Sequence, residues 1–318
     1  MKLAVVGATG FVGSHVADLA ETRGCLVTRI RAPRLTCSAR SAQQLNAMIA
    51  SEAAKLDDLA ALLAGADVVV NAAGIATAES MNIRALFGAN ALLPGVIAHL
   101  CHRGGGIRLI HLSSAAVQGR GTLDESARVD PFSPYSRSKA FGEAMVMAQS
   151  REHSVLYRPT SVHGVDRSVT KTLGRFARGP LSSVAGDGNR PTPQVLVGSV
   201  ADATMLLAEA AAPPQIALHP WEGMTTARLL RILSRGTQPK QIPDSLAKAT
   251  LASTFALGRL RPQLLAQARR LEMLWFGQSQ SSTWFQQQGW TGSEEAAWER
   301  LALQLSANEA SISKSTAK

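Results

Sequence analysis

The chain has 318 residues, 46 % of them apolar, and a formal net charge of +10; this admits one large domain or two modest ones with a sizeable core. No apolar run reaches the ~18 residues of a membrane span, and the basic residues are spread without a dense block or a nucleic-acid-binding motif, so phosphate-bearing small molecules and surface solvation account for the charge better than nucleic acid does. Cys25, Cys37 and Cys101 are scattered, odd in number and never spaced C-x-x-C, which speaks against a zinc site or a disulfide framework and fits a reducing cytoplasm.

Leu3 to Val6 is a short apolar run ending in glycine, the pattern of a buried strand. The start superficially resembles a signal peptide, but Gly7, Gly10 and Gly13 fall where such a segment should be helical. Val12, Val16, Leu19 and Ala20 give Phe11 to Thr22 helical spacing, and Gly24 ends that helix. Cys25 to Ile30 reads as a second strand. Arg34 to Lys55 is ambiguous, with a helix expected around Ala42 to Ala50 and a short third strand near Met48 to Ser51. Asp57 to Leu63 suggests a helix, Asp67 to Ala72 a strand, Ala85 to Cys101 a long helix, and Ile107 to Leu112 a strand. Ser133-Pro134 opens another helix, serine as cap and proline in the first turn, and Ser154 to Arg158 gives one more strand.

This alternation predicts an α/β fold, a doubly wound parallel Rossmann sheet, over residues 1–165. After Gly164 the rhythm fades. Residues 166–305 read as a smaller, mostly helical substrate-binding part, in which 194–218 return the chain to the sheet. Residues 306–318 are polar and small and read as a flexible tail.

Two motifs carry the chemistry. Gly7-Ala-Thr-Gly10-Phe-Val-Gly13 follows a strand and opens a helix. There the first glycine permits a tight turn, the second lets backbone approach a pyrophosphate, and the third allows close helix packing. Gly7, Thr9, Gly10, Phe11, Val12 and Gly13 are therefore candidate cofactor contacts. An acidic residue about 20 positions on would hold the ribose diol of NAD. Here the second strand runs out through Arg29, Ile30, Arg31 and Arg34 with no carboxylate, and Arg31 stands at the expected end. A guanidinium suits a 2′-phosphate, so the cofactor expected is NADP in preference to NAD.

The second motif is Tyr135-Ser-Arg-Ser-Lys139. A phenol is a poor base at neutral pH, and an ammonium on the same helical face favours its phenolate. Such a pair can exchange a proton with an alcohol or carbonyl oxygen. Ser113 and Ser114 follow the Ile107–Leu112 strand, where a hydroxyl could orient that oxygen. Asn71-Ala72-Ala73-Gly74 ends the preceding strand in the same way, its glycine permitting a close cofactor approach.

In these motifs and their order the chain resembles the extended short-chain dehydrogenase/reductase family, in its NAD-dependent epimerase/dehydratase branch. Leu112-Ser-Ser-Ala-Ala-Val-Gln-Gly119 is similar to the family's serine motif, which implies Ser114 as the catalytic hydroxyl beside Tyr135 and Lys139. Asn90 matches the asparagine of the fourth helix. Arg158-Pro-Thr-Ser-Val-His-Gly164 is similar to a segment lining the cofactor and substrate pocket, which implies Arg158 as a cofactor contact. Gly186-Asp-Gly-Asn-Arg190 resembles the stretch before an arginine that binds a sugar nucleotide's pyrophosphate, which implies Arg190 as a substrate contact. Trp284-Phe-Gln-Gln-Gln-Gly-Trp290 resembles the family's closing segment.

The resemblance implies an NAD(P)-dependent oxidoreductase or epimerase acting on a nucleotide-activated sugar, without a metal and with a possible homodimer. Two alternatives stand beside it: a reductase of a nonsugar ketone or alcohol, and a noncatalytic NADP-sensing regulator. A basic amphipathic helix from Pro262, with Leu264, Leu265, Ala268, Leu271 and Trp275 on one face, reads either as a membrane-surface helix or, by preference, as one packed on the second domain.

Overall fold

In the computed structural model, which describes residues 1–39, 41–76, 82–258 and 262–316, two units form around separate cores. The first takes Met1–Thr160, Gly198–His219 and Ser281–Trp290; the second takes Ser161–Val197, Pro220–Gln280 and Thr291–Lys318.

The first unit runs β1 (Lys2–Val6), α1 (Phe11–Thr22), β2 (Leu26–Ile30), α2 (Ala42–Ala53), α3 (Asp57–Leu63), β3 (Val68–Asn71), α4 (Ile83–Phe87), α5 (Leu93–Arg103), β4 (Arg108–Leu112), α6 (Pro134–Ser150) and β5 (Ser154–Arg158). It is completed by α7 (Val197–Glu209) and β6 (Ile216–Leu218). The six strands form one parallel sheet in the order β6-β5-β4-β3-β1-β2. Strands β3 and β5 are buried along their whole length, as continuous apolar runs covered on both faces should be, whereas β2 lies at the sheet edge with an exposed Leu26. The doubly wound parallel fold expected from the alternation is present.

Three local expectations are corrected. No strand forms at Met48–Ser51; those residues lie inside α2. Leu45, Ile49 and Ala53 recur at helical spacing and are buried, and Ser41 caps the helix by accepting the Gln44 N–H at 3.2 Å. Gly95 of α5 leaves room for Ile49 to close in. Of the stretch 194–218 expected to return to the sheet, Gln194–Leu196 is instead a strand paired with Ser161–His163 in the second unit, after which α7 begins and only β6 joins the main sheet. Val200, Ala201, Thr204, Leu207 and Ala208 are buried at helical spacing, which favours the helix. The polar stretch from Ser306 continues a helix, Glu295–Thr316, anchored by the buried Trp298, Leu301, Ala302 and Leu305.

The long helix expected over Ala85–Cys101 is interrupted by a π-helical turn, Gly88–Leu92, that carries Asn90. By length and hydropathy Ile83–Arg103 would pass as a membrane span, but 67 % of its most apolar window is buried, which makes it a core helix.

In the second unit, helices Ser168–Arg178, Thr226–Leu233 and Glu295–Thr316 enclose an apolar cluster centred on Leu229, Leu230, Leu233 and Trp298. Beneath it lies a polar knot. His163 is buried, its Nδ1 3.0 Å from Thr170 Oγ1 and its Nε2 2.6 Å from Gln194 Oε1, and burial pushes its pKa down to about 4. Of the amphipathic face expected from Pro262, Ala268 and Trp275 are buried and Leu271 packs with Trp275, Ala247 and Leu251, so these three serve the core of this unit. The side chains of Leu264 and Leu265 lie outside the described residues.

Candidate active site

The sheet order fixes where a ligand fits. From β1 the chain crosses to β2 on one side, and from the neighbouring β3 it crosses to β4 on the other. At such a reversal the loops beyond the carboxyl ends diverge and leave a crevice. The glycine turn after β1 and the Asn71–Gly74 turn after β3 flank it.

Gly7 sits at φ +85°, and a Cβ there would lie 2.8 Å from Ala73 N, so the two turns meet because Gly7 has no side chain. Gly13, in the first turn of α1, is packed onto the Gly7 carbonyl. No side chain caps α1, whose amino end therefore keeps backbone N–H groups for an anion. Thr9 and Gly10 are exposed, and Phe11 and Val12 are half-buried.

The same turn is tied to β2. The N–H groups of Gly7 and Ala8 both donate to the Ile30 carbonyl, at 2.8 and 3.3 Å, which sets Arg31 beside the glycine loop. Arg29 is held by Asp18 and Glu21. Arg31 is exposed and makes no ion pair among the described residues. The arginine at the predicted position thus keeps its guanidinium unspent, unlike Arg29.

On the other flank, α6 starts with a capping box, Ser133 and Ser136 each satisfying the other's backbone N–H. This fixes the first turn, where Tyr135 stands half-buried, one turn before the buried Lys139 on the same helical face. Lys139 Nζ donates to the Leu112 carbonyl at 2.9 Å. Burial depresses its pKa to about 8, with the Glu143 carboxylate one turn on opposing that fall. A Cβ on Gly74 would lie 2.8 Å from Asn90 Oδ1 and 3.1 Å from Lys139 Nζ, so these three residues converge at the carboxyl edge of β3. Asn90 accepts the Ile75 N–H at 2.9 Å and donates to the Ile75 carbonyl and Ser138 Oγ, both at 3.0 Å. It therefore staples the chain leaving the Asn71–Gly74 turn to α6. Ala72 N donates to Val6 O at 2.9 Å, and Ala73 N to Asn71 Oδ1 at 3.1 Å.

Ser114 caps a short 3-10 turn by accepting Ala116 N–H at 3.2 Å, which leaves its own hydroxyl hydrogen to donate. Ser113 Oγ is buried with no hydrogen-bond partner among the described residues. The open glycine cradle, the uncapped helix start and these hydroxyl groups fit a dinucleotide lying across the crevice.

The two remaining predicted arginines both have acidic partners. The Arg158 side chain, 1 % exposed, is clamped by Glu143, Nε to Oε1 at 2.9 Å and NH2 to Oε2 at 2.8 Å, while NH1 donates to the Ser126 carbonyl at 2.7 Å. It is corrected from cofactor contact to structural cation, because a buried guanidinium needs a carboxylate to stay buried. Arg190 lies in the second unit, paired with Asp244 and stacked 5.0 Å above the Phe276 ring. Sequence reading missed Glu143, although its place four residues after Lys139 was visible. It also missed His111, which no motif marked.

The sequence profile of the family described as "NAD dependent epimerase/dehydratase" matches residues 3–217. The chain belongs to that family. Its members are NAD-dependent enzymes, so this family member is an enzyme with an NAD(P) cofactor. No curated protein matches the sequence. Among solved structures the fold is similar to MoeE5 in complex with UDP-glucose and NAD, at TM-score 0.63 and 19 % identity over 98 % of this chain and 100 % of that one. It is also similar to UDP-glucose 4-epimerase from Thermotoga maritima with UDP-glucose, at 0.62 and 18 % over 98 % and 100 %. A third is dTDP-4-dehydrorhamnose reductase from Bacillus anthracis in complex with NADP, at 0.62 and 13 % over 95 % and 99 %.

Proposed function

We propose that this family member is an NADP-dependent keto-reductase or epimerase of a nucleotide-activated sugar, working in the cytoplasm. The observation that carries the redox part is the convergence of Gly74, Asn90 and Lys139 at the edge of β3, one helical turn from Tyr135. The bound dinucleotide supplies the hydride. Tyr135 gives the proton to the substrate oxygen, or takes it in the reverse direction. Lys139, still an ammonium below about pH 8, lowers the proton affinity of the phenol. Ser114 donates its free hydroxyl hydrogen to the same oxygen. Asn90 and Gly74 set how closely a nicotinamide can approach.

The preference for NADP rests on the unspent Arg31 beside the glycine loop. The sugar-nucleotide part rests on the neighbours that carry UDP-glucose and on the dTDP-dehydrorhamnose reductase, with Arg190 assigned to the diphosphate. A second reading, reduction of a nonsugar ketone, is favoured by the Asp244 carboxylate that already neutralises Arg190. Ultraviolet difference titration with UDP and dTDP separates the two: the first reading requires saturable binding of one of them, and neither binding leaves the nonsugar ketone.

A further inference from the structure

His111 lies on β4 beneath the proton-transfer helix, and no step above uses it. It is fully buried and is the register partner of Asn71 across the β3–β4 ladder. Its Nδ1 lies 3.2 Å from Asn71 Nδ2. The orientation of that amide is settled by its other end, because Asn71 Oδ1 accepts the Ala73 N–H. The amide nitrogen therefore faces the imidazole as donor, His111 Nδ1 accepts, and the ring proton sits on Nε2. Burial, with the Lys139 ammonium nearby, keeps the ring neutral. Protonation at Nδ1 would set N–H against N–H and release the amide.

The contacts form a chain. His111 holds Asn71, Asn71 holds the Ala73 N–H, and the turn ends at Gly74, which lies against Asn90 Oδ1 and Lys139 Nζ. Ala73 is also the residue on which Gly7 rests. The next residue of β4, Leu112, supplies the carbonyl that Lys139 grips. One strand thus anchors the lysine through its backbone and the facing turn through its side chain.

We infer that His111 is a positioning residue of the redox site: by accepting the Asn71 amide N–H it locks the Asn71–Gly74 turn at the distance from Lys139 and Asn90 that a nicotinamide needs. The inference rests on the reading of that turn as the cofactor wall. His111→Leu keeps the bulk and removes the acceptor, whereas His111→Asn keeps an acceptor close to the position of Nδ1. Calorimetric titration of the full chain with NADP should show His111→Leu weakening binding at least fivefold, and His111→Asn staying within twofold of wild type. Asn71→Ala, which removes the links to both His111 and the Ala73 N–H, should give at least the loss of the leucine variant, and the double variant His111→Leu/Asn71→Ala no further loss than Asn71→Ala alone, because the histidine acts only through Asn71. If the leucine variant does not fold, His111→Gln, whose amide lies one bond further from the backbone than the position of Nδ1, is expected to show the same loss. A purely structural role would lower thermal stability while leaving the NADP affinity of the folded variants unchanged, or would give additive losses; either result overturns the inference. Failure of the wild-type chain to bind NADP or NAD overturns the underlying reading as well, and is told apart by occurring before any substitution.

Discussion

The surroundings of Lys139 and of Arg158 use charge in opposite ways. Lys139 is buried, yet its hydrogen bond among the described residues is to a backbone carbonyl, and the carboxylate one turn away is clamped to Arg158. The ammonium is left with donors to spare on the crevice side of Gly74. Arg158 is buried and closed by both Glu143 oxygens and the Ser126 carbonyl. Arg190 lies between the two: half-exposed, paired with Asp244 and stacked on the Phe276 ring, it keeps NH1 without a hydrogen-bond partner among the described residues. A cation acts on a ligand when its own protein leaves it hydrogen-bonding capacity, and that capacity, more than residue type, separates the redox site from the scaffold.

Substitutions that spend or free this capacity sharpen the comparison. Tyr135→Phe removes the proton donor beside the unspent lysine and is expected to lower turnover about 10²–10⁴-fold while NADP affinity holds, read from NADPH oxidation against binding isotherms. Arg158→Ala leaves the Glu143 carboxylate buried and alone, costing about 3–5 kcal/mol in urea unfolding; Arg190→Ala, at 37 % side-chain exposure, should cost less than about 1 kcal/mol. Equal losses for the two arginines would erase the distinction between scaffold and surface.

Lys139→Met tests the cost of the free ammonium. The folded-state pKa of about 8 lies below the ordinary lysine value of 10.5. The folded chain therefore holds fewer protons than the unfolded chain between those values, and wild-type stability rises with pH through that window. The methionine variant should be more stable at pH 7 by roughly 3 kcal/mol, with the gap narrowing above pH 8; a gap that stays constant with pH would contradict the buried cation. The smallest expected effect is at Arg31. Arg31→Ala should reduce the preference for NADP over NAD about tenfold, or about 1.4 kcal/mol, with NAD affinity unchanged.

The sheet, the glycine turn and the Tyr135–Lys139 helix were legible because their signals are local: an apolar run, a glycine spacing, a serine-proline start. The Met48–Ser51 strand failed because a short apolar run fits a buried helical stripe equally well, and only the facing Gly95 of α5 decides. Arg158 and His111 were misread or missed for a different reason. What each does is set by a partner distant in sequence: Glu143 across the α6–β5 contact for the arginine, Asn71 across the ladder for the histidine. The π turn at Asn90 was equally hidden, since it changes backbone bonding without changing composition.

The central claim is that a nicotinamide dinucleotide lies between the Gly7 turn and Lys139. It is tested most directly by calorimetric titration of NADP and NAD into the wild-type chain and Lys139→Met. The account predicts one site per chain, tighter for NADP, and weakened by the lysine substitution. Binding of neither dinucleotide, or binding indifferent to Lys139, would contradict it.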